Sequence, residues 1–366
     1  MKSGLKRIGI LTSGGDCPGL NAAIRALTKK AIYDHDLVVI GLKDGFSGLV
    51  EGKSRELTAN DVSGILVKGG TVLGSSNRAD VFRYPVQKGK KTVFVDRSKD
   101  AVRHYRKLAL DALFVIGGDG SLTITHNLLK KYPKLNIIGL PKTIDNDVQL
   151  TDVTFGFNSA VQRATEAIDD LHTTAMSHHR VMVVEVMGRD TGWLALESGV
   201  AGGGDVILLP EFPYDINKVC DEIKGRLKKG KLASIVVAAE GAKPRGGEVV
   251  VRKIVCDGVE PKRLGGIGQK VADDIEECTG LESRVTVLGH LLRSGVPTAY
   301  DRLLATRFGS KAIDLAVKGR FKRMVALKGA DIVDVPINKV VPGQKLVAKN
   351  HPLVSIAKSL GTTFGV

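Results

Sequence analysis

Apolar runs rich in β-branched residues alternate along this chain with stretches whose apolar positions recur at helical spacing. The first half contains the runs RIGIL, LVVIGL, LDALFVIGG and NIIGLP, and helical patterns follow from about Asn21 and over SLTITHNLLKKY. The second half contains RVMVVEVMG, DVILLP, SIVVAAEG and RVTVLGH, with a charged helical pattern near VCDEIKGRLKKG. Strands that alternate with helices predict mainly parallel sheets flanked by helices. The predicted fold class is therefore α/β.

The predicted strands repeatedly end in glycine-rich or polar turns, at residues 13–16, 117–120 and 187–189. In open parallel sheets, ligands bind at the carboxyl ends of the strands. These turns are therefore expected to converge on one cleft. The chain has 366 residues, which is more than a single core usually supports, so we expect two lobes.

Composition and charge narrow the possible function classes. A hydrophobic fraction of 43% with 25% charged residues is ordinary for a soluble globular protein, and the net charge is +15. A basic protein can bind nucleic acid, a membrane surface or small polyanions. The basic residues are spread along the whole chain and aromatic residues make up only 5% of it, so stacking on nucleic-acid bases is not expected. Phosphorylated metabolites fit this pattern better.

The N-terminus and the cysteines bear on the cellular location. Residues 1–16 lack the order of basic, apolar and small residues found in a signal peptide, and no apolar stretch reaches the ~18 residues of a membrane span. We therefore expect a cytoplasmic protein that does not bind membranes. Cys17, Cys220, Cys256 and Cys278 are widely scattered without a CxxC pair, which predicts reduced thiols and no zinc site.

The first candidate site segment is LFVIGGDGS, residues 113–121, an apolar run that enters a glycine turn and then a helical pattern. Glycines allow the backbone to approach phosphate oxygens, and a helix N-terminus offers free N–H donors. Asp119 would face those phosphates, where a carboxylate is best explained as a ligand of Mg²⁺. Similar turns occur in NAD kinases and lipid kinases, and a purely structural turn with a solvated aspartate is a further alternative.

The second segment, LPKTIDNDVQLTD, places Lys142, Thr143, Asp145 and Asp147 close together after the run NIIGL. If the segment is extended, Thr143, Asp145 and Asp147 project to one side, since side chains alternate along a strand. One carboxylate could then accept the proton of an acceptor hydroxyl, while the other orients partners or binds metal. An ordinary polar loop is the alternative.

The third segment carries arginines at both ends of one predicted strand. Arg180 precedes the run VMVVEV, and Met187, Gly188 and Arg189 follow it. Arginine presents a planar fork that matches phosphate oxygens. The two ends of this strand could therefore serve two separate anions.

The fourth segment is RVTVLGHLLRSG, in which His290 and Arg293 lie three positions apart. A helical turn would put both side chains on one side, where they could bind a phosphate. Glu240, at the end of SIVVAAEG, is suited to accept hydrogen bonds from sugar hydroxyls. A lone His–Arg pair at this spacing usually lies on the surface. The pair is therefore informative only in combination with Glu240.

Taken together, the segments ILTSGGDCPGLNAAIR, IGGDGS, PKTIDND, GFNSA, VEVMGR and TVLGHLLRSG resemble those of the phosphofructokinase family, in this order from about Ile8 to about Asp314. The resemblance implies a two-lobed α/β fold with the active site in the cleft. Residues 1–156 with about 292–341 would form the lobe that binds ATP, the phosphoryl donor. Residues 157–291 with about 342–366 would form the lobe that binds fructose 6-phosphate.

The resemblance also implies residue roles in the transfer of a phosphoryl group to the 1-hydroxyl of fructose 6-phosphate. Asp145 would be the base that deprotonates this hydroxyl, and Asp147, Thr143 and Arg189 would be further catalytic residues. Asp119 would bind Mg²⁺. The donor phosphates would contact residues of several segments: Gly14, Arg78, Gly118, Asp119, Gly120, Ser121 and Lys142.

The sugar phosphate, by the same resemblance, would be held from several strand ends, with His290 and Arg293 on the 6-phosphate and Glu240 on the hydroxyls. Arg180 and Arg284 match arginines that relatives contribute from a neighbouring subunit, which implies a homo-oligomer, a tetramer or a dimer. The full set of implied contacts is Thr143, Ile144, Asp145, Arg180, Met187, Gly188, Arg189, Glu240, Arg284, His290, Leu291, Leu292 and Arg293.

Two positions bear on the choice between ATP and pyrophosphate as donor. Lys142 is shared with pyrophosphate-dependent relatives, but those enzymes usually carry aspartate in place of Gly120. A carboxylate there would crowd and repel the α-phosphate region of a nucleotide, and Gly120 keeps that space open. We therefore expect an ATP-dependent enzyme, with a pyrophosphate-dependent enzyme as the alternative. Asn77 stands where an arginine normally helps to hold the nucleotide, with Arg78 one position on.

A non-catalytic regulatory subunit is a more distant alternative, although the residues expected to perform the chemistry are all present. The effector pocket of allosteric relatives is matched only in part, because His172 stands where an arginine is expected. Allosteric control is therefore not predicted. The basic segment at residues 88–100 is expected to be an exposed excursion without a site role.

Overall fold

The computed structural model describes residues 4–89, 91–254 and 262–366, and these form two compact units. The described part of unit one comprises residues 4–89, 91–158 and Arg293–Gln344, and that of unit two comprises residues 159–254, 262–292 and Lys345–Val366. Each unit thus combines segments that are distant in the sequence. The assignment of one lobe to ATP and the other to the sugar phosphate stays a prediction, as does the expected cleft.

Strands and helices alternate along the chain, as the apolar pattern predicts. The strands are β1 (Arg7–Thr12), β2 (Val38–Leu42), β3 (Ser54–Leu57), β4 (Tyr84–Lys88), β5 (Lys91–Val95), β6 (Ala112–Gly117), β7 (Ile137–Thr143), β8 (Phe155–Gly156), β9 (Val181–Val186), β10 (Val206–Leu208), β11 (Ser234–Ala239), β12 (Val251–Ile254), β13 (Lys262–Leu264), β14 (Ser283–Val287), β15 (Arg323–Lys328) and β16 (Asp331–Pro336).

The helices are α1 (Leu20–His35), α2 (Phe46–Glu51), α3 (Ser98–Lys107), α4 (Asp119–Lys131), α5 (Phe157–His178), α6 (Trp193–Ala201), α7 (Ile216–Lys228), α8 (Ile267–Thr279), α9 (Ala299–Val317), α10 (Ile337–Val340) and α11 (Pro352–Ser359), with a 3₁₀ helix at Gly289–Arg293. Two of the helices expected from the sequence are α4 and α7. In the described part of the chain, no helix is both long enough and apolar enough to cross a membrane.

Unit one is built on a sheet with the strand order β16-β15-β7-β6-β1-β2-β3, and β8 pairs with β7. The central pairs are parallel, while β3 and β16 add antiparallel edges. All residues of β6 and β7 are buried, as expected for central parallel strands covered on both faces. Thr12 pairs with Ile116 and Gly117 with Pro141. The carboxyl ends of β1, β6 and β7 therefore meet at one edge of the sheet.

Unit two is built on a smaller parallel sheet with the order β10-β11-β9-β14. Ala239 pairs with Val186, and Val287 pairs with Glu185, so the carboxyl ends of β11, β9 and β14 lie side by side. Apolar side chains of the sheet pack with those of α7 and α8 in a common core. The two sheets confirm the predicted α/β class.

The basic segment 88–100 belongs to a peripheral hairpin and the helix that follows it. Strands β4 and β5 form an antiparallel pair that is separate from the two larger sheets. Lys88 and Lys91 are exposed, and Lys90 lies outside the described residues. The hairpin is thus an exposed excursion, as expected.

The cysteines differ from the sequence-based expectation. Cys220 of α7 and Cys278 of α8 form a disulfide, with Cα atoms 6.4 Å apart. The prediction of reduced thiols is wrong for this pair, because the packing of two helices joins residues that are 58 positions apart in the sequence. Cys17 is free and buried, and Cys256 lies outside the described residues.

Candidate active site

The turn after β1 forms one wall of the candidate site. Gly14 has a φ of 82°, in the region that favours glycine. Its N–H donates to the carbonyl of Ser76 at 3.1 Å, and its carbonyl accepts from the Ser75 hydroxyl at 2.5 Å. Arg78 is exposed two residues further on. The structure thus brings the turn at Gly14 next to the segment that carries Arg78.

The turn between β6 and α4 leaves open space in front of a helix N-terminus. Gly118 is extended, and α4 begins at Asp119, whose Oδ1 accepts from the N–H of Gly120 at 2.6 Å. A Cβ atom added at Gly120 would meet no heavy atom within 4 Å, and one added at Gly14 would lie 3.5 Å from Oγ of Ser121. The β1 and β6 turns therefore face each other, and the helix N-terminus suits a negatively charged ligand.

Lys142 is a buried basic residue next to the last residue of β7. Its side chain donates a hydrogen bond to the carbonyl oxygen of Gly15, and the residue is only 3% exposed. A Cβ atom at Gly14 would lie 3.5 Å from Nζ. Burial lowers the pKa of Lys142 below its ordinary value. Lys142 thus contacts the β1 turn at the place where the sequence predicts the donor phosphates.

The polar segment that begins in β7 is not a simple extension of that strand. β7 ends at Thr143, and Asn146 has a φ of 52°, so the alternation expected of an extended segment is wrong beyond Thr143. The Thr143 hydroxyl accepts from the N–H of Asp145 at 3.0 Å and donates to Oδ2 of Asp145 at 3.3 Å. Asn146 Oδ1 accepts from the N–H of Thr154 at 3.1 Å. Local hydrogen bonds therefore set the position of the Asp145 carboxylate.

The carboxylates of Asp119, Asp145 and Asp147 lie close enough to repel one another. Burial raises the pKa of Asp145 and Asp119 raises it further, whereas Arg293 lowers it. Burial raises the pKa of Asp147 to about 8, with further contributions from Asp145 and Asp119. Asp147 is 8% exposed, and within the described residues its Oδ1 has no hydrogen-bond partner. An unpartnered buried carboxylate oxygen is a strong acceptor for a cation or a proton.

These carboxylates fit a divalent cation that completes its coordination with other ligands. Across residues 4–89, 91–254 and 262–366, no group of three or more His, Cys, Asp or Glu side chains could hold a metal ion alone. Mg²⁺ is usually bound by one or two carboxylates together with waters and substrate phosphates. Asp119, the ligand expected from the sequence, and Asp147, with its free Oδ1, meet that requirement.

Arg293 lies over the β1 turn. Its NH1 donates to the carbonyl of Asp16 at 3.2 Å, and a Cβ atom at Gly15 would lie 2.5 Å from this nitrogen. A side chain at position 15 would therefore displace the guanidinium of Arg293 from this place. His290 and Arg293 share the predicted helical turn, which is the 3₁₀ helix. Their joint role on the 6-phosphate stays a prediction.

In unit two, the residues Met187, Gly188 and Arg189 meet Glu240 at the carboxyl ends of β9 and β11. The N–H of Glu240 donates to the carbonyl of the last residue of β9 at 2.8 Å, and the N–H of Gly241 donates to the carbonyl of Gly188 at 3.2 Å. Gly188 has a φ of 136°, which favours glycine. The structure thus joins two segments that the sequence assigned to the sugar phosphate.

Arg180 and Arg284 lie at the opposite edge of the same sheet. Arg180 Nε is 2.6 Å from Oε2 of Glu282, and Arg284 forms an ion pair with Oε1 of the same carboxylate. The six residues of β9 separate Arg180 from Met187, a span of about 20 Å at ~3.3 Å per residue. Neither arginine therefore reaches the edge of its own sheet where Arg189 lies. Arg180 and Arg189 thus lie beyond opposite ends of β9, and the two separate anions expected from the third segment stay a prediction.

Glu211 is a candidate functional residue that the sequence did not identify. Its Oε1 accepts from the N–H of Gly192 at 3.0 Å and from the N–H of Val347 at 2.9 Å. Burial raises the pKa of Glu211, and these N–H donors lower it in part. The carboxylate fixes the loop after Arg189, but the return of the C-terminal segment to this loop has no local sequence signal.

The remaining predicted sugar contacts differ in exposure. Ile144 and Leu292 are fully buried, whereas Leu291 is 65% exposed. Their roles stay predictions. His172, which stands in the expected effector region, lines a cavity of unit two together with Arg226 and Lys231.

Known proteins resemble this chain over most of its length. A family model described as Phosphofructokinase matches residues 7–316. The chain is 52% identical over 369 residues to ATP-dependent 6-phosphofructokinase 2 of Clostridium perfringens, with 100% of both chains covered. It is 49% identical over 341 residues to the pyrophosphate–fructose 6-phosphate 1-phosphotransferase of Amycolatopsis mediterranei, with 93% of this chain and 96% of that one covered.

A solved structure supports the same grouping. The crystal structure of Pichia pastoris phosphofructokinase in the T-state has a TM-score of 0.79 and 35% identity, covering 92% of this chain and 35% of that longer chain. The fold is that of the phosphofructokinases, which are enzymes that transfer phosphoryl groups. The chain belongs to the phosphofructokinase family, which confirms the resemblance of the sequence segments.

The burial of Asp147 makes a pH-dependent prediction about stability without added metal. The pKa of Asp147 is raised from 3.8 to about 8. The free energy of unfolding therefore decreases as the pH rises through this interval. Replacing Asp147 by asparagine should therefore raise the thermal denaturation midpoint. The increase in the midpoint should grow between pH 4 and 8. At pH 8 it should correspond to an increase of at least about 1 kcal/mol in the free energy of unfolding, measured by calorimetry in EDTA.

Asp61→Asn is a control for which we expect the opposite change in the thermal denaturation midpoint. Hydrogen bonds from Thr58 and Arg55 lower the pKa of Asp61 to about 2, so its contribution is present above the ordinary aspartate pKa and is lost at lower pH. Asp61→Asn should lower the midpoint at neutral pH. An Asp147→Asn protein that is equally or less stable than the wild type at pH 8 would contradict the account of the buried carboxylate.

Proposed function

We propose that this protein is an ATP-dependent 6-phosphofructokinase, which phosphorylates D-fructose 6-phosphate to D-fructose 1,6-bisphosphate in glycolysis. The observation that carries the proposal is the cluster of Asp119, Asp145 and Asp147 beside the open turn at Gly120. Membership of the phosphofructokinase family supports the same acceptor and reaction.

Asp145 is the general base of the proposed reaction. The 1-hydroxyl oxygen attacks the γ-phosphorus, the bond from this phosphorus to the β–γ bridging oxygen breaks, and ADP leaves. The hydroxyl proton passes to the Asp145 carboxylate. Burial raises the pKa of Asp145, which favours acceptance of this proton, while Arg293 favours the ionised form that must exist before the attack.

Asp119 and Asp147 would hold Mg²⁺, which supplies charge neutralisation on the transferring phosphates when it is bound. The free Oδ1 of Asp147 supports this role. Gly14, Gly118, Gly120 and the start of α4 line the region in which the donor phosphates would lie. Lys142 lies behind the β1 turn, where its side chain donates a hydrogen bond to the carbonyl oxygen of Gly15.

ATP is the donor that the site favours. The absence of any heavy atom within 4 Å of a Cβ at Gly120 leaves room for the α-phosphate region of a nucleotide. The name of the Clostridium perfringens relative supports ATP. The Amycolatopsis mediterranei relative has almost the same identity and uses pyrophosphate by name, so overall identity alone does not separate the donors. The open space at Gly120 is the local feature that supports ATP.

The sugar phosphate is proposed to lie at the carboxyl edge of the unit-two sheet. Met187, Gly188 and Arg189 would face the transferring group, and Glu240 would accept hydrogen bonds from the sugar hydroxyls. His290, together with Arg293 of the donor site, would hold the 6-phosphate. We also propose a cytoplasmic location.

Arg180 and Arg284 are proposed to act in the active site of a neighbouring subunit of a homo-oligomer. Their position about 20 Å from the other end of β9 supports this division, at ~3.3 Å per residue. Glu282 pairs with both guanidinium groups on the surface. A tetramer or a dimer would satisfy the proposal.

Asp145→Asn tests the general base. The asparagine keeps the shape of the side chain but cannot accept the proton, so kcat should fall by about 10²- to 10⁴-fold. The KM for fructose 6-phosphate should change little, since substrate binding is retained. Steady-state assays of fructose 1,6-bisphosphate formation measure both constants. Asp61→Asn is the surface control, and a near-normal kcat in Asp145→Asn would rule out the assigned role.

Subunit mixing tests the shared site. Asp145→Asn and Arg284→Ala proteins should each be nearly inactive, and equal mixing with subunit exchange should restore about one quarter of the wild-type activity, because one quarter of the sites then combine an intact Asp145 with an intact neighbouring Arg284. Mixed samples that stay as inactive as their components, despite proven exchange, would show that the arginine does not serve a neighbour.

A further inference from the structure

Gln344 places its carboxamide between two of the site's carboxylates. Its Nε2 lies 3.3 Å from Oδ2 of Asp119 and 3.4 Å from Oδ2 of Asp147. Asp119 begins α4, and Asp147 follows β7, so the two acids come from different parts of unit one. Gln344 comes from a third part, nearly 200 residues further along the chain. No motif in the sequence points to it.

The backbone of Gln344 is fixed independently of its side chain. Gln344 forms an antiparallel bridge with Val148, and its carbonyl accepts from Nε2 of Gln149 at 2.7 Å. The adjoining cavity is lined by Leu122, Val340 and other residues of the same unit. The backbone contacts therefore hold the residue in place while the side chain extends toward the acids.

The chemistry of the carboxamide suits this position. The NH₂ group has two hydrogens, and an ionised carboxylate can only accept, so one amide can satisfy two carboxylates at once. The amide carries no charge, and it therefore orients the acids without competing with a cation for them as a lysine would. Oδ1 of Asp119 accepts from the backbone of Gly120, while Oδ1 of Asp147 has no partner in the described chain. The bond from Gln344 thus fixes one oxygen of Asp147 and leaves the other available.

We propose that Gln344 is a positioning residue of the phosphoryl-transfer reaction, which sets the spacing and orientation of Asp119 and Asp147 for the cation and the donor phosphates. The inference rests on the proposed function and adds to it a residue from the C-terminal part of unit one. Removing a group that orients a metal ligand commonly lowers metal affinity or activity by about 10- to 100-fold.

Gln344→Met tests this role, because methionine has nearly the same length but no donor. We expect kcat with fructose 6-phosphate and ATP to fall at least about tenfold, while the KM for fructose 6-phosphate stays within about twofold, since the sugar contacts are untouched. Gln269→Met is the matched control. Gln269 also donates to an aspartate, Asp273, at 2.7 Å, but on the exposed face of α8, and its loss should leave kcat and KM unchanged.

Mn²⁺ binding provides a readout that is independent of turnover. Electron paramagnetic resonance titration of Mn²⁺ in the presence of ADP should give a dissociation constant about tenfold higher for Gln344→Met than for the wild type, and an unchanged constant for Gln269→Met. The thermal denaturation midpoint of each variant shows whether the fold is kept. A Gln344→Met protein with unchanged Mn²⁺ affinity and kcat would overturn the proposal, and so would equal losses in Gln269→Met.

The two hypotheses fail in different ways. If the wild type does not phosphorylate fructose 6-phosphate but Gln344→Met still weakens Mn²⁺ binding, the proposed function is wrong and the positioning role of Gln344 stands. If the wild type is active and Gln344→Met binds Mn²⁺ and turns over normally, the positioning role alone is wrong.

Discussion

The gathering of like charges at one edge of a buried parallel sheet is the constraint on which the site in unit one depends. The register of β1, β6 and β7 brings their carboxyl ends together, and the turns that follow place Asp119, Asp145 and Asp147 within range of mutual repulsion. Burial and repulsion together raise the pKa of Asp145 and of Asp147. This arrangement costs stability, which the fully buried strands β6 and β7 offset by apolar packing.

The neighbours of the cluster are arranged around this unfavourable charge. Arg293 lies close to Asp145, and the Thr143 hydroxyl bonds to the Asp145 carboxylate at 3.3 Å. The amide of Gln344 donates to the other two acids. Thr143 thus holds Asp145, and Gln344 holds both Asp119 and Asp147. Oδ1 of Asp147 lacks a donor within the described residues. This oxygen can therefore bind a ligand that carries positive charge.

Local patterns in the sequence were sufficient to predict the α/β architecture, and most of the candidate site residues were proposed from the same patterns. Continuous apolar runs predicted the buried parallel strands, and the glycines after them predicted the turns, because both features depend on neighbouring residues. The disulfide of Cys220 with Cys278 could not be predicted in this way, since it depends on how α7 packs against α8. The same holds for Gln344 and Glu211, which act where the C-terminal part of the chain returns to earlier loops.

Asp145 and Asp147 show an intermediate case. The sequence predicted that the two carboxylates would lie on one side of an extended segment. Strand alternation ends at Thr143, and the left-handed backbone of Asn146 turns the chain instead. Asparagine adopts this conformation more readily than most residues do, so the residue type was a usable signal that alternation would break.

In unit two, arginines lie at both ends of strand β9. Arg189 and Glu240 lie at the carboxyl edge of the sheet, whereas Arg180 and Arg284 share Glu282 at the amino edge. The proposed oligomer, in which one edge completes a neighbour's site, would give both groups a function.

The proposed transfer of a phosphoryl group from ATP to fructose 6-phosphate depends on the carboxylate cluster and the open turn at Gly120. It is tested most directly by the rate of fructose 1,6-bisphosphate formation by the wild-type protein, with Mg²⁺ present and either ATP or pyrophosphate as the only donor. We expect a higher kcat/KM with ATP. A higher kcat/KM with pyrophosphate, or no product with either donor, would contradict it.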